Sequence, residues 1–196
     1  MRPVRPNDFR PLDNGHLEVL RSIVGAGYVL TDKDALADHA HDYTEDLVFH
    51  PEVVVKPRTA REISEILQFC NRERIPATPR GAGTGLSGGA LPVHGGIIIS
   101  MERFNSILSI DERNLQATVE PGVVNVNLTK AATPHGLHYA PDPSSQSACT
   151  IGGNVGENAG GPHCLKYGVT LNHIVAATVV LPDGEVLRLE APHDDA

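Results

Sequence analysis

The sequence predicts an α+β fold, and three observations carry that prediction. Short β-branched runs at 53–55 and 97–99 flank one amphipathic helical stretch over 59–74. Apolar runs on both sides of Asp111-Glu112-Arg113-Asn114 read as a hairpin, and the same pattern recurs around Pro182-Asp183-Gly184. Two further regions, 80–89 and 141–168, are too rich in glycine for helix or strand. Glycine loses the most backbone entropy on ordering and offers nothing to bury. These regions are therefore loops held between ordered elements.

In chain order, Leu17, Leu20, Ile23 and Val24 fall at helical spacing, and Thr31-Asp32 ahead of Ala35-Leu36-Ala37 marks a second short helix. Residues 1–50 read as a helical appendage. His39-Ala40-His41 reads as a surface pair, because no third metal ligand lies near it in sequence. Val53-Val54-Val55, stopped by Pro57, is a buried strand. Thr59 and Glu62 form a capping box, with Thr59 accepting from the Glu62 N–H and Glu62 reaching back. Ile63, Ile66, Leu67 and Cys70 then mark one apolar helix face, and the helix ends near Arg74, before Pro76. Residues 75–78 form a strand that delivers the first glycine loop. Strands follow at 97–100, 107–110 and 115–119, then a helix over 126–135, with Pro134 weakening its last turn and Gly136 beyond it. A short helix around 150–157 sits inside the second loop, and strands at 174–181 and 185–189 close the pattern. Residues 190–196 are acidic and are expected to fray.

Composition narrows the function. The chain has 196 residues, 40% apolar and 4% aromatic with no Trp, so its core relies on Val, Ile, Leu and Ala. A formal charge of -8 argues against a nucleic-acid partner, which demands a basic surface. Three cysteines without CxxC spacing suit a reducing compartment. The start, Met1-Arg2-Pro3-Val4-Arg5-Pro6, has no apolar stretch behind it, and the apolar runs are too short to span a bilayer. A cytoplasmic protein is expected.

The stretch Arg80-Gly81-Ala82-Gly83-Thr84-Gly85-Leu86-Ser87-Gly88-Gly89 can bring backbone N–H groups, with the Thr84 and Ser87 hydroxyls, close to an anion. Residues 83–88 match G-x-G-x-x-G, yet that fingerprint must open a helix, and here Pro92 and Gly95-Gly96 lead into a strand. No Lys follows the glycines as a Walker loop requires. A backbone-lined anion site of another topology remains. So long an irregular segment as 141–168 marks a region that wraps a ligand. One elongated molecule with a central pyrophosphate explains both loops. Asp142 reads equally as a turn residue between prolines or a ligand contact; Tyr139 and Tyr167 read as core or cofactor-facing. Cys149 and Cys164, with no adjacent base, read as packing residues. Lys166 reads as solvated or phosphate-facing, and His135 and His138 as structural.

Five ordered motifs carry a family resemblance: residues 79–90, Tyr139-Ala-Pro-Asp-Pro-Ser-Ser145, Thr150-Ile-Gly-Gly-Asn154, Glu157-Asn-Ala-Gly-Gly161 and His163-Cys-Leu-Lys-Tyr-Gly168. Over residues 40–189 the chain resembles the FAD-linked oxidases of the vanillyl-alcohol oxidase/PCMH type, in particular the glycolate oxidase flavin subunit (GlcD) and D-lactate dehydrogenase group. The resemblance implies a PCMH-type FAD-binding fold with two α+β subdomains, 51–105 and 106–196, the second incomplete. It places the pyrophosphate on the backbone of Arg80, Gly81, Ala82, Gly83, Thr84, Gly85 and Leu86, with Thr84 as a hydroxyl donor. Pro141, Asp142, Ser144, Ser145, Thr150, Gly152, Gly153 and Asn154 would border the isoalloxazine and the phosphates. Glu157, Asn158, Ala159 and Gly160 would continue along the cofactor, and Val175 would approach it through its main chain. His163, Tyr167 and Gly168 occupy matching positions. No metal ligand is implied. The substrate-capping domain that supplies the family's catalytic residues lies outside these 196 residues, so the chain is expected to be an N-terminal part, inactive alone. The implied reaction of the parent protein is oxidation of a small 2-hydroxy acid, glycolate or D-lactate, by hydride transfer to flavin N5, with companion subunits. A non-catalytic nucleotide-binding or subunit-docking module is the alternative.

Overall fold

Val53–Val55 forms strand β2, entirely excluded from solvent, in the computed structural model, which describes residues 8–190. It pairs in parallel with β4 (Ile97–Ser100), and β4 pairs in parallel with β3 (Ala77–Arg80). The two-residue strand β1 (Val29–Leu30) joins β2 antiparallel, giving a four-stranded sheet of order β1-β2-β4-β3. The continuous apolar runs of β2 and β4 suit parallel strands, which are covered on both faces.

Helix α3 (Ala60–Glu73) is the crossover between β2 and β3 and buries Ile66, Phe69 and Cys70 against the sheet. Burial pushes the Cys70 thiol up to about 12, as befits a packing residue. At the helix start, Thr59 Oγ1 accepts from the Glu62 N–H at 3.1 Å. Glu62 reaches one residue further back than expected, accepting from the Arg58 N–H at 2.7 Å. Arg74 ends the helix in the left-handed region.

Residues 14–30 are built into this core rather than hung beside it. Helix α1 (Asn14–Val24) is closed at its start by Asp13 and His16, each accepting from the other's backbone N–H. It places Leu20 and Val24 in the same apolar cluster as Val53, Val55, Ile66 and Ile97. Helix α2 (Lys33–Asp38) follows β1.

The rest of the chain forms two antiparallel ribbons joined by helices. In the first, β5 (Ile107–Asp111) pairs with β6 (Gln116–Val119). Leu115, expected in the strand, is instead the left-handed last residue of the turn, which Asp111 stabilises by accepting from the Asn114 N–H. Helix α4 (Asn125–Ala132) runs into a 3-10 turn, Thr133–His135, and stops at left-handed Gly136. Helix α5 (Ile151–Glu157) and a single turn α6 (Cys164–Tyr167) occupy the second glycine-rich region. A 3-10 turn over Thr170–His173 delays the next strand, so β7 is Ala176–Val180, two residues later than expected. It pairs with β8 (Val186–Glu190), and the hairpin tip docks on α3, where Ser64 Oγ donates to the Gly184 carbonyl and Asn71 Nδ2 to that of Pro182. Glu190, expected to fray with the residues after it, instead ends β8 paired with Ala176; the expectations for residues 1–6 and 191–196 lie outside the described residues. Among those described, no helix is long and apolar enough to cross a membrane.

Candidate functional site

Arg80 ends β3, and its side chain turns under the loop that follows instead of outward. The guanidinium is buried, with Nη2 donating to the His41 carbonyl at 2.7 Å and Nη1 to that of Ala90 at 3.4 Å. Burial pulls its pKa down, against the opposing pull of Asp42 and Glu102. Gly83 lies directly over this group at φ +68°, and a Cβ there would collide with Nη2. Only glycine meets both the torsion and the clearance. Gly81 faces the other way: a Cβ on it would stand 2.5 Å from Thr150 Oγ1. The first loop therefore touches the start of α5 in the second, where Thr150 caps the helix by accepting from the Gly153 N–H.

A second bridge lies further along. Ser87 Oγ donates to Glu157 Oε2 at 2.9 Å, and the same carboxylate lies over Gly85 and Gly89. Segment 41–44 supplies a third support, which the sequence reading missed: the Tyr43 N–H donates to the Gly85 carbonyl and Thr44 Oγ1 accepts from the Gly88 N–H. Ala82 and Leu86 are exposed, and Thr84 and Gly85 are half-buried. Among the described residues, none of the backbone N–H groups from Ala82 to Ser87 is engaged in a hydrogen bond. Such a row of unused donors on a glycine turn suits an anion whose charge is spread over several oxygens, as in a diphosphate.

The second loop is anchored by an amide that carried no sequence signal. Asn125, at the start of α4, is fully buried, and its Nδ2 donates to the Pro141 carbonyl at 3.0 Å and to Asn154 Oδ1 at 2.9 Å. Asn154 in turn donates to Cys149 Sγ, so Cys149 is a packing residue, as expected. Asp142 accepts from both the backbone N–H and the ring Nδ1 of His163, the latter at 2.5 Å. Burial would raise the Asp142 pKa, but these His163 contacts hold it below the usual carboxylate range. Asp142 is thus more than a turn residue. Ser144 is exposed, Ser145 takes the Ala148 and Cys149 N–H groups on its carbonyl, and Gly152 packs on Pro121. Asn158 caps α5 in the left-handed region and accepts from the Leu171 N–H. The Ala159 carbonyl receives both the N–H and the hydroxyl of Thr170, and Gly160 packs on Cys164.

Gly81, Gly85, Ser87, Thr150, Gly153 and Glu157 therefore meet across the two loops. His163 and Tyr167 stand apart in a cluster of their own, with the Tyr167 ring 6.4 Å from His163 and 6.1 Å from His138. Gly168 follows at φ +85°. Val175 is exposed ahead of β7 and makes none of the bridging contacts. His39, read as a surface residue, is buried: its Nδ1 lies 2.8 Å from the Ala35 carbonyl and its Nε2 3.3 Å from Glu102. No group of three His, Cys, Asp or Glu side chains among the described residues could hold a metal ion.

Comparison with known proteins converges on one family. A family described as "FAD binding domain" matches residues 51–190. The chain is 52% identical over 139 residues to the glycolate oxidase subunit GlcD of Escherichia coli (strain K12), covering 71% of this chain and 28% of that protein. It is 41% identical over 166 residues to a D-lactate dehydrogenase of Anaerostipes hadrus, covering 83% of this chain and 34% of that one. Among solved structures, a p-cresol methylhydroxylase with bound substrate superposes with a TM-score of 0.76 at 26% identity, over 89% of this chain and 35% of the other. The chain thus spans about a third of the length of the relatives it matches.

Proposed function

Because the chain belongs to the FAD-binding-domain family, with the PCMH-type fold and FAD as its cofactor, we propose that it is the FAD-binding portion of a dehydrogenase or oxidase acting on a small 2-hydroxy acid, glycolate or D-lactate. The observation that carries this reading is the row of unused N–H groups from Ala82 to Ser87, set against Thr150 and Glu157 of the second loop. These donors would take the diphosphate, with the Thr84 hydroxyl beside them. Gly81 and Gly83 let the loop backbone close onto Thr150 and Arg80, which would hold the row of donors in place. Residues 51–105 and 106–196 would act as the two subdomains enclosing the cofactor. Asp142, Ser144 and Ser145 would border its ring system, with the Asn125 amide fixing their backbone through Pro141.

When bound, the flavin supplies the redox chemistry by accepting hydride from the substrate α-carbon. The residues of this chain bind and orient it. They contribute no group to the hydroxy acid itself, so residues 1–196 alone would hold FAD without turning substrate over. A cytoplasmic location and companion subunits belong to the same proposal; the E. coli relative is itself named a subunit.

The test is spectroscopic. The purified protein should carry flavin bands near roughly 370 and 450 nm. In the parent protein, glycolate or D-lactate added without oxygen should bleach the longer-wavelength band, while residues 1–196 alone should keep it. A colourless protein that takes up no added FAD would refute the reading.

A further inference from the structure

Segment 39–44 straps the first glycine loop to the sheet. The His41 carbonyl accepts from Arg80 Nη2 at 2.7 Å, the Tyr43 N–H donates to the Gly85 carbonyl at 3.1 Å, and Thr44 Oγ1 accepts from the Gly88 N–H at 2.9 Å. A further bond, from the Phe49 N–H to the Ala40 carbonyl, ties the strap to the chain that follows it. The strap itself is fixed by one ring. His39, the residue that ends α2, is buried, with Nδ1 2.8 Å from the Ala35 carbonyl and Nε2 3.3 Å from Glu102 Oε1.

Both neighbours of the ring accept and neither donates. The Ala35 carbonyl lies in the last turn of α2, where a helix leaves acceptors open. Glu102 is ionised: the His39 contact, with Lys56 and Ser100, pulls its pKa down to about 2 against the effect of burial. A neutral imidazole has one N–H and one lone pair, so either tautomer would turn a lone pair onto an oxygen. The imidazolium, with two N–H groups, serves both acceptors. A cavity of about 370 Å³ lies against the ring and lets protons reach it. Around that cavity, Lys56 after β2 and Arg80 at the end of β3 oppose a charge on the ring, whereas Asp38 and Glu102 favour it. The C-terminal end of α2 favours it too. Asp42, buried in the strap, acts with Glu102 on the Arg80 guanidinium. His41, also in the strap, is exposed, with its Nδ1 3.3 Å from the Ala37 carbonyl.

We propose that His39 is a positioning residue operated by its proton. Charged on both nitrogens, it pins segment 39–44 between α2 and Glu102; losing one proton frees that segment and the glycine loop it holds. The ring's contribution is present while it is charged and is lost as pH rises through its titration. Only the consequence for the cofactor, weaker FAD binding at higher pH, rests on the reading that residues 82–87 take the diphosphate. The diphosphate of FAD keeps its own charge over that range, so a step in affinity belongs to the protein.

The experiment follows the wild-type chain, His39→Gln and His41→Gln from about pH 5 to about pH 9.5, a span that contains the ordinary imidazole range. Nitrogen NMR reads the His39 ring, hydrogen exchange reads protection of the Tyr43, Phe49 and Gly88 amides without ligand, and flavin fluorescence reads FAD affinity. At the acid end both ring nitrogens should carry hydrogen. As one hydrogen is lost, amide protection and FAD affinity should each fall about tenfold, the loss expected for one hydrogen bond to a charged group. In His39→Gln both should be low and level with pH, while His41→Gln should keep the step. Far-UV circular dichroism checks the fold of each variant, and if His39→Gln fails to fold, the wild-type profile decides alone. A ring that is neutral at the acid end, keeps both protons throughout, or titrates with protection unchanged would overturn the proposal, as would a step lost in His41→Gln. Protection that falls with the ring while FAD affinity stays level would uphold the role of His39 and refute the diphosphate loop.

Discussion

Residues 81–89 contain no helical turn and no strand, whereas residues 141–168 contain α5 and α6. The two glycine-rich regions look alike in composition and are held in different ways. The first takes its shape from residues distant in sequence: Arg80 reaches His41, Gly81 abuts Thr150, Ser87 meets Glu157 and Gly88 meets Thr44. The second is organised mainly from within and by one neighbouring helix, through the Asp142–His163 pair, the Thr150 and Asn158 caps and the Asn125 amide. The first loop keeps its backbone donors unused because side chains do the holding. In the second, backbone groups are largely spent on short helical turns. If a ligand needs a continuous row of bare N–H groups, the first loop offers one at 82–87, with the second loop packed against it.

The contrast breaks most clearly at Gly83. Gly83→Val forces a β-branched residue to φ +68° and onto the Arg80 guanidinium; FAD affinity should fall by at least about a hundredfold, measured by flavin fluorescence. Equal affinity would show that the anion sits elsewhere. Asn125→Leu strips the Pro141 carbonyl and Asn154 Oδ1 of their buried donor. It should cost roughly 2–3 kcal/mol in denaturant unfolding and disturb the second loop ahead of the first. Arg80→Met leaves the His41 and Ala90 carbonyls without their donor; about 2 kcal/mol of stability should go, and proteolysis should begin within the first loop. Cleavage beginning in residues 141–168 would show that Arg80 does not hold the first loop.

Acid provides a milder test. The Glu102 pKa is depressed from 4.5 to about 2 in the fold. Its contribution is thus fully present above about pH 4.5 and is lost as pH falls toward about 2. Glu102→Gln should flatten the unfolding profile across that window. The smallest effect belongs to Glu157→Ala: its bond to Ser87 is exposed, so stability should change by less than about 1 kcal/mol, while hydrogen exchange at 85–89 should quicken.

The elements of the first half were legible because their signals are local. Thr59 and Glu62 announce α3, Val53–Val55 and the isoleucines of β4 announce buried strands, and Pro76 marks the helix exit. The family motifs likewise lie in short contiguous stretches. Less was legible where a partner lies far along the chain. Glu62 was read as a cap, but its acceptor role falls on Arg58; His39 gave no sign of burial, and nothing marked Asn125 as the anchor of Pro141.

By itself, then, the sequence determined that two side-chain-poor turns would be framed by buried strands and one amphipathic helix, since periodicity, capping and glycine content act over a few residues. The tertiary structure alone decided why Gly81 and Gly83 must be glycine: one clears Thr150 and the other clears Arg80. It also decided that Lys56, Glu102 and His39 would share a cavity. Clearances and charge pairings are properties of surfaces brought together by folding, and no local pattern records them.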